Sequence, residues 1–133
     1  MLKVGDQLPA IERGPVGRPD IARFAAAVND FNPIHVDEEF AKSVGFPSVI
    51  AHGPLSLAYA VQLLAENFGP ANVRGVSAQF RAPVLPGDLL RIEGEVTGID
   101  DEKGEPVANC SLRILKGDTV VAQGSGKVVV ARA

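Results

Sequence analysis

Apolar positions change their spacing once along this 133-residue chain, from every third or fourth residue in the first half to every second residue from Val73 onward. Behind Pro19 and Asp20, the residues Ile21, Phe24, Ala25 and Val28 fall at i, i+3, i+4 and i+7. That spacing predicts a helix with one apolar stripe, ending just ahead of Asp30. Asp37 then suits the N-cap of a shorter helix over 38–44, with Glu38 and Glu39 in its first turn and Gly45 as its stop. A third helix, from Pro54 to about Phe68, is apolar nearly all round, a composition that is normally buried on most sides.

Beyond it, Val76, Ala78, Phe80 and Ala82 alternate with Ser77, Gln79 and Arg81, and Leu90, Ile92, Gly94 and Val96 alternate with Arg91, Glu93 and Glu95. Ala108, Cys110, Leu112 and Ile114 continue the scheme, and Thr119 to Val130 supplies a last strand. Turns are expected at Pro86-Gly87-Asp88, Asp101-Glu102-Lys103-Gly104 and Lys116-Gly117-Asp118, and residues 1–17 read as an extended lead-in punctuated by Gly14, Pro15 and Gly17. Helices followed by four consecutive turn-linked strands predict one α+β domain over residues 1–133, with a mainly antiparallel sheet around the apolar helix.

Composition narrows the functions open to such a domain. Thirteen basic against sixteen acidic residues give a net charge of -3, which supplies no electrostatic reason to expect nucleic acid or an anionic membrane as partner. One cysteine, Cys110, rules out an internal disulfide framework, and with two histidines it makes a poor set of zinc ligands. Nothing resembles a signal peptide or a membrane span, and the expected location is the cytoplasm.

Chemistry concentrates in Asn29-Asp30-Phe31-Asn32-Pro33-Ile34-His35 and in Ile50-Ala51-His52-Gly53-Pro54. The residue before a proline is pushed out of the α region, so the first segment should bend and let Asp30 and His35 converge on one ligand atom. An imidazole exchanges protons near neutrality and a neighbouring carboxylate orients a water or shares the transfer, which together would add or remove water. The same composition also makes a plain turn, in which Asp and Asn bond their own backbone, and Asn32 is first of all a turn former. At Gly53-Pro54 the free N–H groups and dipole of a helix start favour negative charge, and Gly53 lets a ligand carbonyl approach the backbone; a well-formed helix start needs no more than this. Ser56 and Tyr59 lie on the same helix and could bond a ligand, although a Ser in a first turn and a partly buried Tyr need no special reason; His52 is expected behind the site, and Cys110 reads as core. No glycine-rich phosphate loop is present.

Phe24 to Asp37, then Ile50-Ala51-His52-Gly53, then Phe80-Arg81-Ala82-Pro83-Val84-Leu85-Pro86-Gly87-Asp88, resembles the MaoC-like, (R)-specific enoyl-CoA hydratase family over nearly the whole chain. The resemblance implies a hot-dog fold, an antiparallel β-sheet wrapped around a central helix, usually paired as a homodimer through the sheet. It implies an enzyme that hydrates trans-2-enoyl thioesters to (R)-3-hydroxyacyl thioesters, with CoA or acyl carrier protein as carrier and water as co-substrate. Asp30 and His35 would form the dyad and the Gly53 N–H would bind the thioester carbonyl, with Asn32 and Ser56 as further substrate-binding candidates and no metal or redox cofactor. Two departures stand out: many relatives have Ser-Gly-Asp where this chain has Val28-Asn29-Asp30, and often Met where it has Pro54, which removes a backbone donor. A hot-dog thioesterase and a non-catalytic subunit of a heteromeric dehydratase are the competing readings, and Arg74, Arg81 and Lys127 are minor candidates for a carrier phosphate.

Overall fold

A computed structural model describes residues 1–131. Helix α1 (Arg18–Val28) follows a short strand, β1 (Ile11–Arg13), and Asp20 closes its first turn by accepting from the Gly17 N–H at 2.8 Å. The expected apolar stripe holds over its first part, with Ile21 and Ala25 buried and Phe24 half-buried, but not at its end, where Val28 is exposed. One helical turn, α2 (Pro33–Val36), then leads into α3 (Glu38–Ser43), where the Asp37 carboxylate accepts from the Phe40 N–H at 3.1 Å. The long helix α4 spans Gly53–Phe68 and passes through a 3₁₀ turn at Pro70–Asn72 into the sheet strands.

Strands β2 (Val73–Phe80), β3 (Leu90–Glu102), β4 (Glu105–Lys116) and β5 (Thr119–Val129) join β1 in one antiparallel sheet of order β1-β3-β4-β5-β2. The α+β architecture and the antiparallel sheet packed on the apolar helix agree with expectation. The expected chain of four turn-linked neighbours does not hold at its first step. β2 pairs with β5 at one edge, while β3 lies beside β1 toward the other, so residues 81–89 cross between them and form no hairpin. Period-two alternation reports which face of a strand is buried and carries no information about which strand lies beside it. Pro86-Gly87-Asp88 is the corner of that crossing. The Asp88 carboxylate accepts from the Leu85 N–H and from Lys116, and the main chain of residues 87 and 88 pairs with Val16 in the lead-in.

The core lies between α4 and the sheet. Leu63 and Leu64 are fully buried and share one hydrophobic cluster with Leu90, Ile92, Val96, Leu112 and Ile114, each such side chain stabilising the fold by roughly 1.5–3 kcal/mol relative to exposure. Glycines on the floor bring helix and sheet together: a Cβ on Gly126 would stand 2.5 Å from Leu64 Cδ1, and one on Gly94 would stand 2.9 Å from Leu8. The helix is not enclosed on every side, since Val61 and Gln62 on its outer face are exposed.

Candidate active site

Asp30 owes its position to the way α1 ends. Asn29 adopts a left-handed conformation (φ 54°, ψ 43°), and the Asp30 N–H turns back to the Ala25 carbonyl at 2.9 Å. Asn is one of the few residues besides Gly that enters this region readily, so Asn29 serves where many relatives have Gly. The Asp30 Oδ1 accepts from the Asn32 N–H at 3.2 Å, and the carboxylate remains about half exposed.

His35 approaches from the single turn of α2, which Asn32 caps by accepting from the Ile34 N–H at 3.2 Å. Its ring is buried and its Nδ1 donates to the Ile50 carbonyl at 2.7 Å, which fixes the proton on Nδ1 of the neutral ring and turns Nε2 toward Asp30. The Ile50 N–H pairs with the Ile34 carbonyl, and the Ala51 N–H with Val84, so that acceptor is itself held. Nε2 of His35 and Oδ2 of Asp30 lie 4.0 Å apart. This exceeds a direct hydrogen bond but lets one oxygen atom sit roughly 2.8 Å from both.

A cavity of about 370 Å³ opens beside this pair, lined by His35, His52, Gly53 and Ser56 on one side and by Phe46, Phe80, Val84 and Val121 on the other. The Gly53 N–H begins α4 and has no hydrogen-bond partner among the described residues. A Cβ here would stand 2.9–3.1 Å from three atoms of the Phe80 ring, so glycine allows that ring to lie over the helix start. Pro54, the second helical residue, contributes no donor, which leaves the Gly53 amide as the available one at this corner. A larger depression, about 590 Å³, lies over β2, β4 and β5 among Ser77, Gln79, Ser111, Arg113 and Gln123 and holds neither imidazole nor carboxylate.

The structure thus brings His35, Gly53 and Ser56 to one cavity, with Asp30 beside His35. Asn32 does not line that cavity, and its side-chain oxygen is engaged as a cap. Of the basic candidates, Arg81 stands at the cavity, whereas Arg74 and Lys127 lie against Glu105 and Glu102. The bond to Glu102 raises the Lys127 ammonium pKa. Burial raises the Cys110 thiol pKa, in keeping with a core residue, and burial also raises that of Tyr59, with the Asp20 carboxylate adding to the effect and Arg13 opposing it. Phe80 and the Ile50 carbonyl belong to the site although sequence reasoning did not assign them to it. A backbone carbonyl carries no residue-type signal, and Phe80 looked like one more inward strand position.

Asp30, His35 and His52 each offer a metal-ligand atom within 4.8 Å of one another. Their geometry does not suit an ion, because the two imidazoles are stacked, with centroids 3.7 Å apart and planes 24° from parallel. Lone pairs in two such planes run side by side instead of converging, and Nδ1 of His35 and Nε2 of His52 already face carbonyls.

An antiparallel sheet laid on one long helix, with a carboxylate and an imidazole at the start of that helix, defines a hot-dog domain equipped for acid–base chemistry. The MaoC like domain family matches residues 3–114, and the chain belongs to that family. It is 34% identical over 130 residues to the (R)-specific enoyl-CoA hydratase of Aeromonas caviae, covering 96% of this chain and 94% of that one. The 3-hydroxybutyryl-CoA dehydratase of Methylorubrum extorquens is 33% identical over 131 residues, covering 97% and 81%. The solved structure of the A. caviae (R)-hydratase involved in PHA biosynthesis superimposes with a TM-score of 0.82 at 32% identity, covering 98% of both chains.

Proposed function

We propose that this chain is a hydro-lyase that reversibly hydrates trans-2-enoyl thioesters to (R)-3-hydroxyacyl thioesters, with Asp30 and His35 as the proton-transfer dyad. The observation that carries the reading is the 4.0 Å separation of Asp30 Oδ2 and His35 Nε2 beside a cavity that also holds the unengaged Gly53 N–H. The thioester carbonyl accepts from that amide at the positive end of the α4 dipole. This makes C3 electrophilic and stabilises the enolate-like charge that develops as oxygen adds. The dyad holds the water, takes one of its protons and delivers a proton to C2 on the same face, while the hydroxyl remains on C3. Every atom of the product comes from substrate and water, so the chemistry calls for no cofactor or metal.

The acyl chain lies against Phe46, Val84 and Val121 beside α4, with Ser56 near the acyl end and Arg81 at the mouth for the carrier, CoA or acyl carrier protein. The chain works as a homodimer. β2 is a sheet edge that ends in the exposed Phe80, and Val61 on the outer face of α4 is also exposed, apolar surface that a second copy would cover. Among the described residues no helix is long and apolar enough to cross a membrane, and the buried free thiol fits a reducing cytoplasm.

Crotonyl-CoA mixed with purified protein tests the reading. The expected result is loss of the enoyl absorbance without thiol release, giving the (R)-alcohol. Thiol release would mean a thioesterase instead, and recovery of the (S)-alcohol would contradict the proposed face of addition.

A further inference from the structure

His52 is the least explained buried group in the molecule. It is 1% exposed, its ring lies between His35, stacked at 3.7 Å, and Phe24, tilted at 5.1 Å, and its Nε2 donates to the main-chain carbonyl of Asp30 at 3.0 Å. Its Nδ1 is buried and has no hydrogen-bond partner among the described residues. Leaving a buried acceptor unpaired costs stability, and a purely structural position would be filled better by an apolar ring.

We propose that His52 is the positioning residue of the dyad, a reading that rests on the hydratase assignment. Its N–H fixes the main chain of Asp30, and its face backs the ring of His35. One side chain therefore sets both halves of the 4.0 Å gap in which the water is held. No other described side chain bonds the Asp30 backbone while touching the His35 ring. The arrangement also gives the two histidines opposite tautomers. His35 donates through Nδ1 to Ile50 and His52 through Nε2 to Asp30, which leaves Nε2 of His35 turned toward the Asp30 carboxylate and Nδ1 of His52 buried without a partner. A residue acting this way lowers turnover when it is lost and leaves substrate binding largely intact, because His52, although in the cavity wall, is 1% exposed and acts on the reacting atoms through its neighbours.

Two variants separate the N–H from the ring. His52→Phe keeps a stacking ring and removes both the donor and the unpaired Nδ1. It should melt no lower than the wild type, yet lose about 10- to 100-fold in kcat on crotonyl-CoA with KM little changed, the scale expected for a small misplacement of catalytic groups. His52→Gln keeps an N–H near the position of Nε2 and should return kcat to within about threefold of wild type by restoring the fixed geometry. A folded His52→Phe with unchanged kcat, or a change confined to KM, would overturn the proposal.

The imidazole ¹⁵N spectrum gives a readout that needs neither turnover nor a folded variant, because the chain holds only two histidines. One Nδ1–H ring and one Nε2–H ring are expected, and two rings of the same tautomer would overturn the assignment. A wild-type chain that leaves crotonyl-CoA unchanged counts against the hydratase reading, and the spectrum still decides the arrangement of the two rings.

Discussion

Helix α4 meets the rest of the molecule in two different ways. Along its middle turns, Leu63 and Leu64 press into a sheet floor thinned by Gly94 and Gly126, and contact is decided by shape alone. At its first turn, His52 and Gly53 face Asp30, His35 and an open cavity, where three main-chain carbonyls, those of Ala25, Asp30 and Ile50, determine where the carboxylate and the imidazoles stand. The first region gains stability from close packing and is indifferent to chemistry. The second gives up packing and keeps a half-exposed carboxylate, an unengaged amide and an unpaired buried nitrogen, the kind of local sacrifice that marks functional positions.

The two regions should therefore fail in opposite ways. The largest expected effect is on the polar end: Asp30→Asn keeps an oxygen to accept from the Asn32 N–H but loses the carboxylate proposed to transfer the proton. The hydration rate should fall about 10³-fold with the melting temperature unchanged. Comparable rates for the two proteins would mean that the dyad is misassigned.

On the packed side, a Cβ on Gly124 would lie 1.9 Å from the Ser77 carbonyl oxygen and 2.7 Å from Ala78 Cα, both backbone atoms that cannot step aside. Gly124→Ala should force β2 away from β5 and cost about 3 kcal/mol or more in urea unfolding. An unshifted urea midpoint would show that the edge pairing is looser than the register implies.

Gly126→Ala is milder, since the atom it meets is the flexible end of Leu64, and about 1–3 kcal/mol is expected. The double variant with Leu64→Ala should cost less than the sum of the two singles, because each makes room for the other, and strict additivity would deny the contact.

The smallest effect concerns Cys110, whose thiol pKa is raised by burial in the core. The unfolded chain then loses this proton first as pH rises, so the contribution is complete below the ordinary thiol range and is lost as pH climbs through the folded value. A shallow decline of stability that sets in above about pH 8.5 is expected, and Cys110→Ala should remove that onset and leave only the later decline from Tyr59 and Lys127. Labelling of the native thiol at the rate of a free cysteine would show that the core opens here.

How far the residues alone carried the structure depended on the range over which each signal acts. α1, α3 and α4 were legible from apolar stripes, from Asp37 as a cap and from Gly45 as a stop, because these act within a turn or two of helix. The inward faces of β3 and β4 were legible for the same reason, since alternation is local. β1 was not, because three residues show no period, and it forms only through pairing with β3, some eighty positions away.

Of the candidate site, the residue types were readable and the roles were partly so. Asp30, His35 and Gly53 stood out as acid, imidazole and helix start, whereas Asn32, carried as a ligand group, is engaged as the cap of α2. His52 was placed behind the site, and nothing in its neighbours along the chain showed that it would touch both Asp30 and His35.

What the amino-acid sequence determined by itself was helices α1, α3 and α4, strands β2 to β5, the buried faces of β3 and β4, and the presence of an acid and an imidazole flanking a bend. Only the tertiary structure decided that β5 would separate β4 from β2, that Phe80 would lie over Gly53, and which carbonyl each histidine would meet. The physical reason is that side-chain pattern specifies polarity, which is local. Every residue offers the same backbone carbonyl, so the choice among them is made by the packing of segments far apart in the chain.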